Sequence, residues 1–322
     1  MERVVDTKNR WFVIINPVAG NGRGLLDFPK ISKLLRADGL PHDSAFTEHR
    51  YHATELTVEA VNKGYRRIIV VGGDGTLNEV VNGLFIQQVA EPKDVLLAVI
   101  AVGTGNDWVR TFGISPCYSA AIRSISEGND FLQDVARVTY TEARYQQTRY
   151  MANVAGLGFE AFVISKYNHY KMKGRHGRWL YLKSIIKSYF KYKSSGTRII
   201  VDDKVIYNNL MFSLAVGVCK YIGGGLQLLP KAVVDDGLLD ITLIKPLHWW
   251  HIVFRLNKLS NGDIYSIGHV LHAQGKHVKV VSAPNVMLET DGELQGETPV
   301  EIEVVHRAIR VVVSREFLES RG

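Results

Sequence analysis

Strand and helix patterns alternate over the first 130 residues, and this alternation constrains the fold more than any other feature. Short apolar runs rich in β-branched residues, such as 67–71, are followed by stretches with apolar residues at helical spacing, such as 25–36. Such alternation predicts right-handed βαβ units, hence a parallel sheet covered by helices on both faces. Strands are predicted at 11–16, 44–47, 67–71 and 96–101, and helices at 25–36, 53–62, 76–84 and 120–127.

The pattern changes near residue 131 to short β-rich runs separated by turn residues, which is typical of an antiparallel β-sandwich. The predicted domains are therefore 1–133 and 134–307, with a tail at 308–322 that returns to the first domain. Strands of the second part, and one in the tail, are predicted at 136–139, 150–154, 197–201, 210–216, 239–244, 277–281, 300–304 and 310–313.

Composition excludes several classes of protein. The 322 residues are 46% hydrophobic, but no run of about 18 apolar residues occurs, and the first ten residues do not resemble a signal peptide. A cytoplasmic protein is therefore expected. The two cysteines, Cys117 and Cys219, are too few for a disulfide framework and lack zinc-ligand spacing, so both are interpreted as inert thiols.

The net charge of +7 is concentrated in one segment. Residues 161–201 contain no Asp or Glu, and the ten lysines and arginines from 166 to 198 give this segment a charge of +10. A basic segment of this kind favours a polyanionic partner, either nucleic acid or an anionic membrane surface. Within it, 178–193 has the spacing of an amphipathic helix, either at a membrane interface or packed on the protein surface. Trp249 and Trp250 are expected in the core rather than as membrane anchors.

Three glycine-rich loops follow predicted strands of the first domain, at 16–24, 72–79 and 103–107. Loops at the carboxyl ends of parallel strands converge, and their glycines let backbone N–H groups approach phosphate oxygens. The first loop forms neither a Walker A motif nor a G-x-G-x-x-G fingerprint, so the sequence does not favour a P-loop nucleotide site or a dinucleotide-binding site. Ordinary turn chemistry also uses Gly, Asn and Asp. Turn chemistry alone does not explain well why a carboxylate, Asp74, lies between two glycines at the end of a buried strand. A carboxylate at that position can organise Mg²⁺.

The order of these motifs resembles the diacylglycerol kinase catalytic-domain family, in its bacterial lipid kinase branch within the diacylglycerol/sphingosine kinase superfamily. The motifs are Asn-Pro-x-x-Gly at 16–20, Gly-Gly-Asp-Gly-Thr-x-Asn-Glu at 72–79 and Gly-Thr-Gly-Asn-Asp at 103–107. The resemblance continues through 153–160, 223–225, 230–232, 236–240 and 291–293. It implies a phosphofructokinase/NAD-kinase-like α/β domain that binds ATP and a β-sandwich domain that binds a lipid substrate.

The resemblance also implies roles for individual residues. The catalytic Mg²⁺ would be held by Asp74, Asp107 and Asp236, although Asp107 is also interpretable as a helix N-cap. A second, structural metal would use the Asp236 region with the carbonyls of Val233 and Leu238, which leaves the metal served by Asp236 open. Contacts to ATP are expected from Asn16, Pro17, Val18, Ala19, Gly20, Thr47, Gly73, Asp74, Gly75, Thr76, Leu77, Asn78, Glu79 and Thr104.

The Asp291-Gly292-Glu293 turn is expected to supply the base that accepts the proton of the lipid hydroxyl, with either carboxylate as a candidate. Asp-Gly is also common in ordinary hairpin turns. Phosphoryl transfer needs mainly positioning and charge neutralisation, so backbone donors, Mg²⁺, Asp74 and one base can suffice. The chain departs from the family pattern at 217–222, where relatives read Gly-Asn-Gly, and at Ala19, where a serine is common.

The expected function is transfer of the γ-phosphoryl group of ATP to a lipid hydroxyl, with diacylglycerol as acceptor and phosphatidic acid as product. Alternatives are a kinase of a sphingoid base or phosphatidylglycerol, a soluble NAD kinase-like enzyme, and an inactive regulator that binds lipid or nucleotide. Binding of nucleic acid through the basic segment is the least favoured alternative, and no nucleic-acid partner is expected. The protein is expected at the inner face of the membrane, contacting anionic lipid through 166–198, and the resemblance suggests a homodimer.

Overall fold

The computed structural model describes residue 7 and residues 9–103, 105–172, 187–248 and 261–321, with side chains from 167 to 172 excluded. The chain divides into two compact units. The first comprises Met1–Val135 and His306–Gly322, and the second comprises Ala136–Val305.

The first unit contains a parallel sheet. Its strands are β1 (Trp11–Ile15), β2 (His42–Phe46), β3 (Arg67–Gly72), β4 (Leu96–Ala101) and the end of the long β17 (Glu293–Val312). The order is β2-β1-β3-β4-β17, and each neighbouring pair is parallel. The predicted parallel α/β architecture is therefore confirmed.

Apolar side chains cover both faces of this sheet. Ile69 and Val71 of β3 belong to one buried cluster, and Ile68 and Val70, which alternate with them, are also fully buried. The helices are α1 (Ala19–Ala37), α2 (His52–Asn62), α3 (Asp74–Ile86), α4 (Asp107–Thr111) and α5 (Tyr118–Glu127), followed near the carboxyl end by α7 (Arg315–Glu319), with a 3₁₀ turn at Pro92–Asp94.

Helices α1 and α5 bury apolar residues in the same cluster as Ile69 and Val71, through Ile31, Leu35 and Ile122. Helices α2 and α3 pack closely, because a Cβ on Gly83 would lie 2.6 Å from the Thr57 side chain. The beginning of α1 is irregular, with left-handed backbone at residues 20–22.

The second unit is an antiparallel β-sandwich, as predicted. One run of strands has the order β14-β13-β10-β7-β16, and another joins β9, β8, β15 and β17. The elements are β5 (Asp130–Glu142), β6 (Tyr145–Met151), β7 (Val154–Gly158), α6 (Phe159–Met172), β8 (Ser195–Val201), β9 (Lys204–Met211), β10 (Ser213–Gly217), β11 (Tyr221–Ile222), β12 (Leu226–Gln227), β13 (Leu239–Ile244), a 3₁₀ turn at Ile264–Ser266, β14 (Val270–Gly275), β15 (His277–Ala283) and β16 (Met287–Thr290).

Two of the predicted strands are each interrupted in the structure, so their prediction as single strands is wrong. The range 150–154 crosses a bend between β6 and β7, where the carboxylate of Asp291 accepts the N–H groups of residues 152–154. The range 210–216 crosses the break between β9 and β10 at Phe212. Both runs are mainly apolar, with one polar residue each, Asn153 and Ser213, so hydrophobic pattern alone does not mark the breaks.

Some predictions fall on residues that the structure does not describe. The proposed amphipathic helix at 178–193 is described only from residue 187, and Trp249 and Trp250 lie outside the described residues. Among the described residues, no helix is both long and apolar enough to cross a bilayer. Cys117 is exposed and Cys219 is buried, and neither forms a disulfide.

Candidate active site

The first two glycine-rich loops are connected by the side chain of Asn16. Its Nδ2 donates a hydrogen bond to Thr76 Oγ1 at 3.0 Å, and its Oδ1 accepts the Val18 N–H at 3.1 Å. Asn16 follows β1, and Thr76 lies in the first turn of α3, which follows β3. One amide side chain therefore holds two loops together at the carboxyl ends of adjacent parallel strands.

The carboxylate of Asp74 connects the second loop to the third. Its Oδ2 accepts the Asp107 N–H at 3.2 Å, and its Oδ1 accepts the Trp108 N–H at 3.1 Å. Burial raises the pKa of the Asp74 carboxyl, and backbone N–H groups, with that of Trp108 foremost, oppose the shift because they stabilise the anion. A cation bound to this carboxylate would oppose the shift further.

Two carboxylate oxygens converge beside Gly105. A Cβ built on Gly105 would lie 3.2 Å from Asp74 Oδ2 and 3.6 Å from Asp107 Oδ2. Asp107 is the first residue of α4 and Asn106 occupies the N-cap position, so the interpretation of Asp107 as an N-cap is wrong. Paired carboxylate oxygens are the ligands that Mg²⁺ prefers, so this pair fits a magnesium ion.

Close packing of backbone brings the second and third loops together. A Cβ on Gly103 would lie 2.9 Å from the Gly73 Cα, which leaves no room for a side chain. Gly73 is the N-cap residue of α3, and it bears no side chain that could occupy the helix N-terminus. The start of α3 can therefore present backbone N–H groups to an anion.

Several residues expected to contact ATP are buried within the first unit. Thr76, Leu77 and Asn78 are all buried, and Asn78 Oδ1 accepts the Asn82 Nδ2 at 3.2 Å. Their expected contact with ATP through side chains stays a prediction.

Glu79 contacts the beginning of α2. Its two carboxylate oxygens accept the N–H groups of Tyr51 at 3.0 Å and Ala53 at 3.1 Å. Free N–H groups at a helix N-terminus need acceptors, and the N-cap of α2 has no side-chain hydrogen bond of its own. Glu79 therefore caps α2, a role that sequence reasoning missed because 28 positions separate it from Tyr51.

The remaining expected ATP contacts lie just after the strands of the parallel sheet or in the first turns of the helices that follow them. Pro17, Val18, Ala19 and Gly20 follow β1, and the Val18 side chain is highly exposed. Thr47 follows β2, and its N–H donates to the Ile15 carbonyl at 2.8 Å. Gly75 lies in the first turn of α3, and Thr104 lies outside the described residues.

In the second unit, Asp291 anchors the turn between β16 and β17. Its Oδ1 accepts the N–H groups of Asn153 and Val154, and its Oδ2 accepts that of Ala152, all within 3.1 Å. A carboxylate offers about four acceptor positions, so backbone donors take most of them. Glu293, by contrast, is exposed. The turn therefore combines an anchored carboxylate with an accessible one.

A buried acid next to this turn was missed by sequence reasoning. Glu289 is fully buried, and its Oε2 accepts the Gly292 N–H at 2.8 Å. Burial, followed by the neighbouring Glu160, raises the pKa of Glu289 well above its usual value. The sequence signal that could have identified Glu289 is its acidic side chain in an otherwise core-forming strand, two positions before the Asp-Gly-Glu turn.

The residues expected at a second metal lie in one segment of the second unit. Asp236 Oδ1 accepts the Leu238 N–H at 3.0 Å, and Val233 lies shortly before it in the same loop. Asp74 and Asp107, in contrast, belong to the first unit. The structure therefore groups Asp74 with Asp107, and the assignment of Asp236 to either metal stays a prediction.

A group of potential ligands, His49, His52 and Glu55, also occurs in the first unit, with His52 half-buried and the other two exposed. Their ligand atoms lie within 4.8 Å of one another, but His52 Nδ1 accepts the Glu48 N–H at 2.9 Å. That contact places the proton of the neutral ring on Nε2, so His52 has no lone pair left for a metal.

Comparison with known proteins agrees with this architecture. Residues 10–138 match the diacylglycerol kinase catalytic domain, and residues 153–313, half of the chain, match the YegS C-terminal NAD kinase beta sandwich-like domain. A diacylglycerol kinase of Staphylococcus carnosus (strain TM300) is 26% identical over 292 residues, which cover 91% of each chain. One of Staphylococcus epidermidis (strain ATCC 12228 / FDA PCI 1200) is 26% identical over 318 residues, covering 97% of this chain and 96% of the relative.

A crystal structure described as a diacylglycerol kinase from Bacillus anthracis str. Sterne has the same fold, with a TM-score of 0.71 and 23% identity. The superposition covers 96% of this chain and 98% of that one. The paired matches define a kinase with a catalytic α/β domain and a sandwich domain. The chain belongs to the diacylglycerol kinase catalytic-domain family, in the form with a YegS-type C-terminal sandwich, and is an enzyme of the lipid kinase class.

Proposed function

We propose that this enzyme transfers the γ-phosphoryl group of ATP to a lipid hydroxyl in the presence of Mg²⁺, with diacylglycerol as the acceptor and phosphatidic acid as the product. The observation that carries the proposal is the pair of carboxylate oxygens, from Asp74 and Asp107, that converge beside Gly105. The pair lies in loops that follow β3 and β4, where nucleotide phosphates bind in open parallel sheets.

In this proposal, the backbone of the three loops and the start of α3 orient the phosphates of ATP. Asp74 and Asp107 hold Mg²⁺, which when bound supplies charge neutralisation for the phosphate oxygens. Asn16 keeps the first loop in register with α3 through its bond to Thr76. Most of the catalytic effect is therefore positioning and electrostatic stabilisation, as phosphoryl transfer requires.

The Asp291-Gly292-Glu293 turn supplies the carboxylate that accepts the hydroxyl proton of the lipid. Asp291 fixes the turn through the N–H groups of residues 152–154, and Glu293 is exposed to an incoming hydroxyl group. We assign anchoring to Asp291 and proton acceptance to Glu293. A general base contributes about 10²–10⁴ in rate, so its removal is readily measured.

The test is a parallel assay with labelled ATP and diacylglycerol, sphingosine, phosphatidylglycerol or NAD as acceptor, followed by mass analysis of the product. Label in phosphatidic acid is expected, and Asp74→Asn should lower it by about 10²–10³, because both the charge and the bonds that hold the second and third loops together are lost. The matched control is Asp38→Asn, the same exchange at the exposed end of α1. Label in NAD alone would refute a lipid acceptor, and no label in any acceptor would favour a regulator.

We also propose that the basic segment, 166–198, contacts anionic membrane lipid at the inner face of the membrane. In its described part, Lys187 and Lys191 are exposed on either side of Phe190, whose side chain is 68% exposed. Exposed lysines flanking an exposed aromatic ring suit a charged lipid interface, where each lysine contributes about 1 kcal/mol.

The membrane proposal is tested by cosedimentation with phosphatidylserine-containing and phosphatidylcholine vesicles. Lys187→Glu/Lys191→Glu should weaken binding to the anionic vesicles at least about 30-fold, which corresponds to about 2 kcal/mol. Lys30→Glu/Lys33→Glu, on the exposed side of α1, is the charge-matched control. Retention of DNA without vesicle binding would instead support a nucleic-acid partner. The homodimer is tested by light scattering of the purified protein.

A further inference from the structure

Glu289 is a buried acid whose surroundings do not suit an anion. Its side chain is fully buried, and its Oε1 has no hydrogen-bond partner among the described residues. The other oxygen, Oε2, accepts the Gly292 N–H at 2.8 Å. Ionised carboxylates are almost never found fully buried unless they are paired with a cation or with several donors.

A second carboxyl group faces the same small space. Glu289 is the cross-strand partner of Gly156 in the antiparallel pair of β16 and β7. A Cβ built on Gly156 would lie 2.6 Å from Glu289 Oε1 and 2.7 Å from Glu160 Oε2. Glycine at this position therefore leaves the space that both oxygens face. Two anions so close together in a buried site repel strongly, so the pair retains a proton.

The position of the proton follows from the two environments. Glu160 lies in the first turn of α6, where the helix dipole favours a negative charge. Glu289 is fully buried, and the carboxyl groups whose charges act on it are Glu160 from α6, Asp291 in the turn and Glu293 at the start of β17. Burial first and Glu160 second raise the pKa of Glu289 well above 4.5. Glu289 is thus the member that keeps the proton.

We propose that Glu289 is a protonated positioning residue, which shares its proton with Glu160 across Gly156 and holds the Asp291-Gly292-Glu293 turn through the Gly292 N–H. The role rests on the proposed function, because that turn supplies the base. Without the proton, adjacent negative charges would push the β16–β17 turn away from β7. The lipid hydroxyl would then lose its correctly placed acceptor.

The first test measures the proton itself, in the full-length protein without substrate. Glu289→Gln has nearly the same shape, and its amide can accept from Gly292 and donate to Glu160, so it mimics the neutral acid. The infrared difference spectrum between wild type and Glu289→Gln at pH 7 should contain one protonated carboxyl band. Glu297→Gln, the same exchange at an exposed position of β17, should leave that band unchanged. A wild-type protein without the band overturns the proposal.

The second test follows melting temperature against pH. A carboxyl group whose folded pKa is raised gives stability that is complete below the unfolded value, near 4.5, and lost as pH rises through the folded value. The melting temperature of wild type should therefore fall more steeply from pH 5 to pH 9 than that of Glu289→Gln. Equal slopes for the two proteins would overturn the shared proton.

The third test separates positioning from packing. Gly156→Ala places a methyl group between the two carboxyl groups and should lower kcat by about 10²-fold with an unchanged KM for nucleotide, because the base is displaced by about 1 Å. Glu289→Gln should keep kcat within about tenfold, the equivalent of one hydrogen bond. Loss of activity in Glu289→Gln as severe as in Gly156→Ala would overturn the positioning role. A wild-type protein with the band and the steeper slope that phosphorylates no lipid would overturn the proposed function and leave the shared proton established.

Discussion

The left-handed backbone of the first glycine-rich loop allows a sharp test of how the nucleotide site is built. Gly20 has φ 59° and ψ 37°, and Gly22 has φ 88° and ψ 0°. A Cβ on Gly20 would lie 1.9 Å from the carbonyl oxygen of Val102, directly after β4. A Cβ on Gly22 would meet no atom within 4 Å. The two glycines thus share a backbone conformation and differ in the space available.

Alanine at either position incurs the cost of a left-handed conformation, about 1–2 kcal/mol. Only Gly20→Ala also forces the loop away from the end of β4, which adds about 1–3 kcal/mol by analogy with overpacking. A change of about 1 kcal/mol shifts the melting temperature by about 2–4 °C in a unit of this size. Gly20→Ala should therefore melt about 2–12 °C below Gly22→Ala.

The assay compares melting temperatures of the two variants under identical conditions, together with calorimetric titration of each with ATP and Mg²⁺. Gly20→Ala should bind nucleotide more weakly than Gly22→Ala, because the first loop no longer lies against the end of β4. Equal melting temperatures and equal affinities would show that this contact does not hold the loop, and the reasoning would fail.

Three further predictions use contacts in the two units. Asp291→Asn should lower both activity and melting temperature, because the new amide NH₂ group faces backbone N–H donors at residues 152–154. Glu293→Gln should lower activity alone. Equal melting temperatures for the two variants would contradict the assignment of anchoring to Asp291 and proton acceptance to Glu293. Glu79→Ala should lower the free energy of unfolding by about 1–2 kcal/mol, because α2 loses its cap. The control Glu59→Ala, which removes an exposed ion pair, should lower it by only about 0.3–0.5 kcal/mol, and urea unfolding measures both values. Burial raises the pKa values of Tyr65, Tyr118, Tyr192 and Tyr265 to about 12, so the free energy of unfolding should decrease from pH 10 to pH 12, and a flat profile would contradict this.

The central strands of the parallel sheet, β3 and β4, were predictable from sequence because they are buried on both faces. The strand predicted at 96–101 has those bounds in the structure, and 67–71 is only one residue shorter than β3. In the second unit, mainly apolar runs conceal the breaks at 152–153 and 212, because a single polar residue in each run does not distinguish a break from a strand. The sequence pattern does not predict helix α6, because its first residues belong to the motif at 153–160, whose glycines are not typical of a helix.

The candidate site was predictable to the extent that its residues are close in sequence. The loop around Asp74 contains its own glycines, so local pattern identified it. Glu79 and Glu289 were different, because their partners lie far away along the chain, at residues 51–53 and at Glu160. A contact of this kind depends on how strands and helices pack, which no local pattern encodes.

Asp74 and Asp291 show why loss of activity alone cannot identify a metal ligand or a base here. Each carboxylate accepts N–H groups from consecutive residues, 107–108 and 152–154, and such charge-assisted bonds fix the loop that carries them. Replacing either acid by its amide removes the negative charge. It also turns the NH₂ group of the new side chain toward backbone N–H groups, which cannot accept a hydrogen bond. A fall in kcat therefore reports chemistry only where the melting temperature is unchanged. We expect Glu293→Gln to meet that condition and Asp74→Asn to fail it, because Glu293 is exposed and Asp74 holds two loops together.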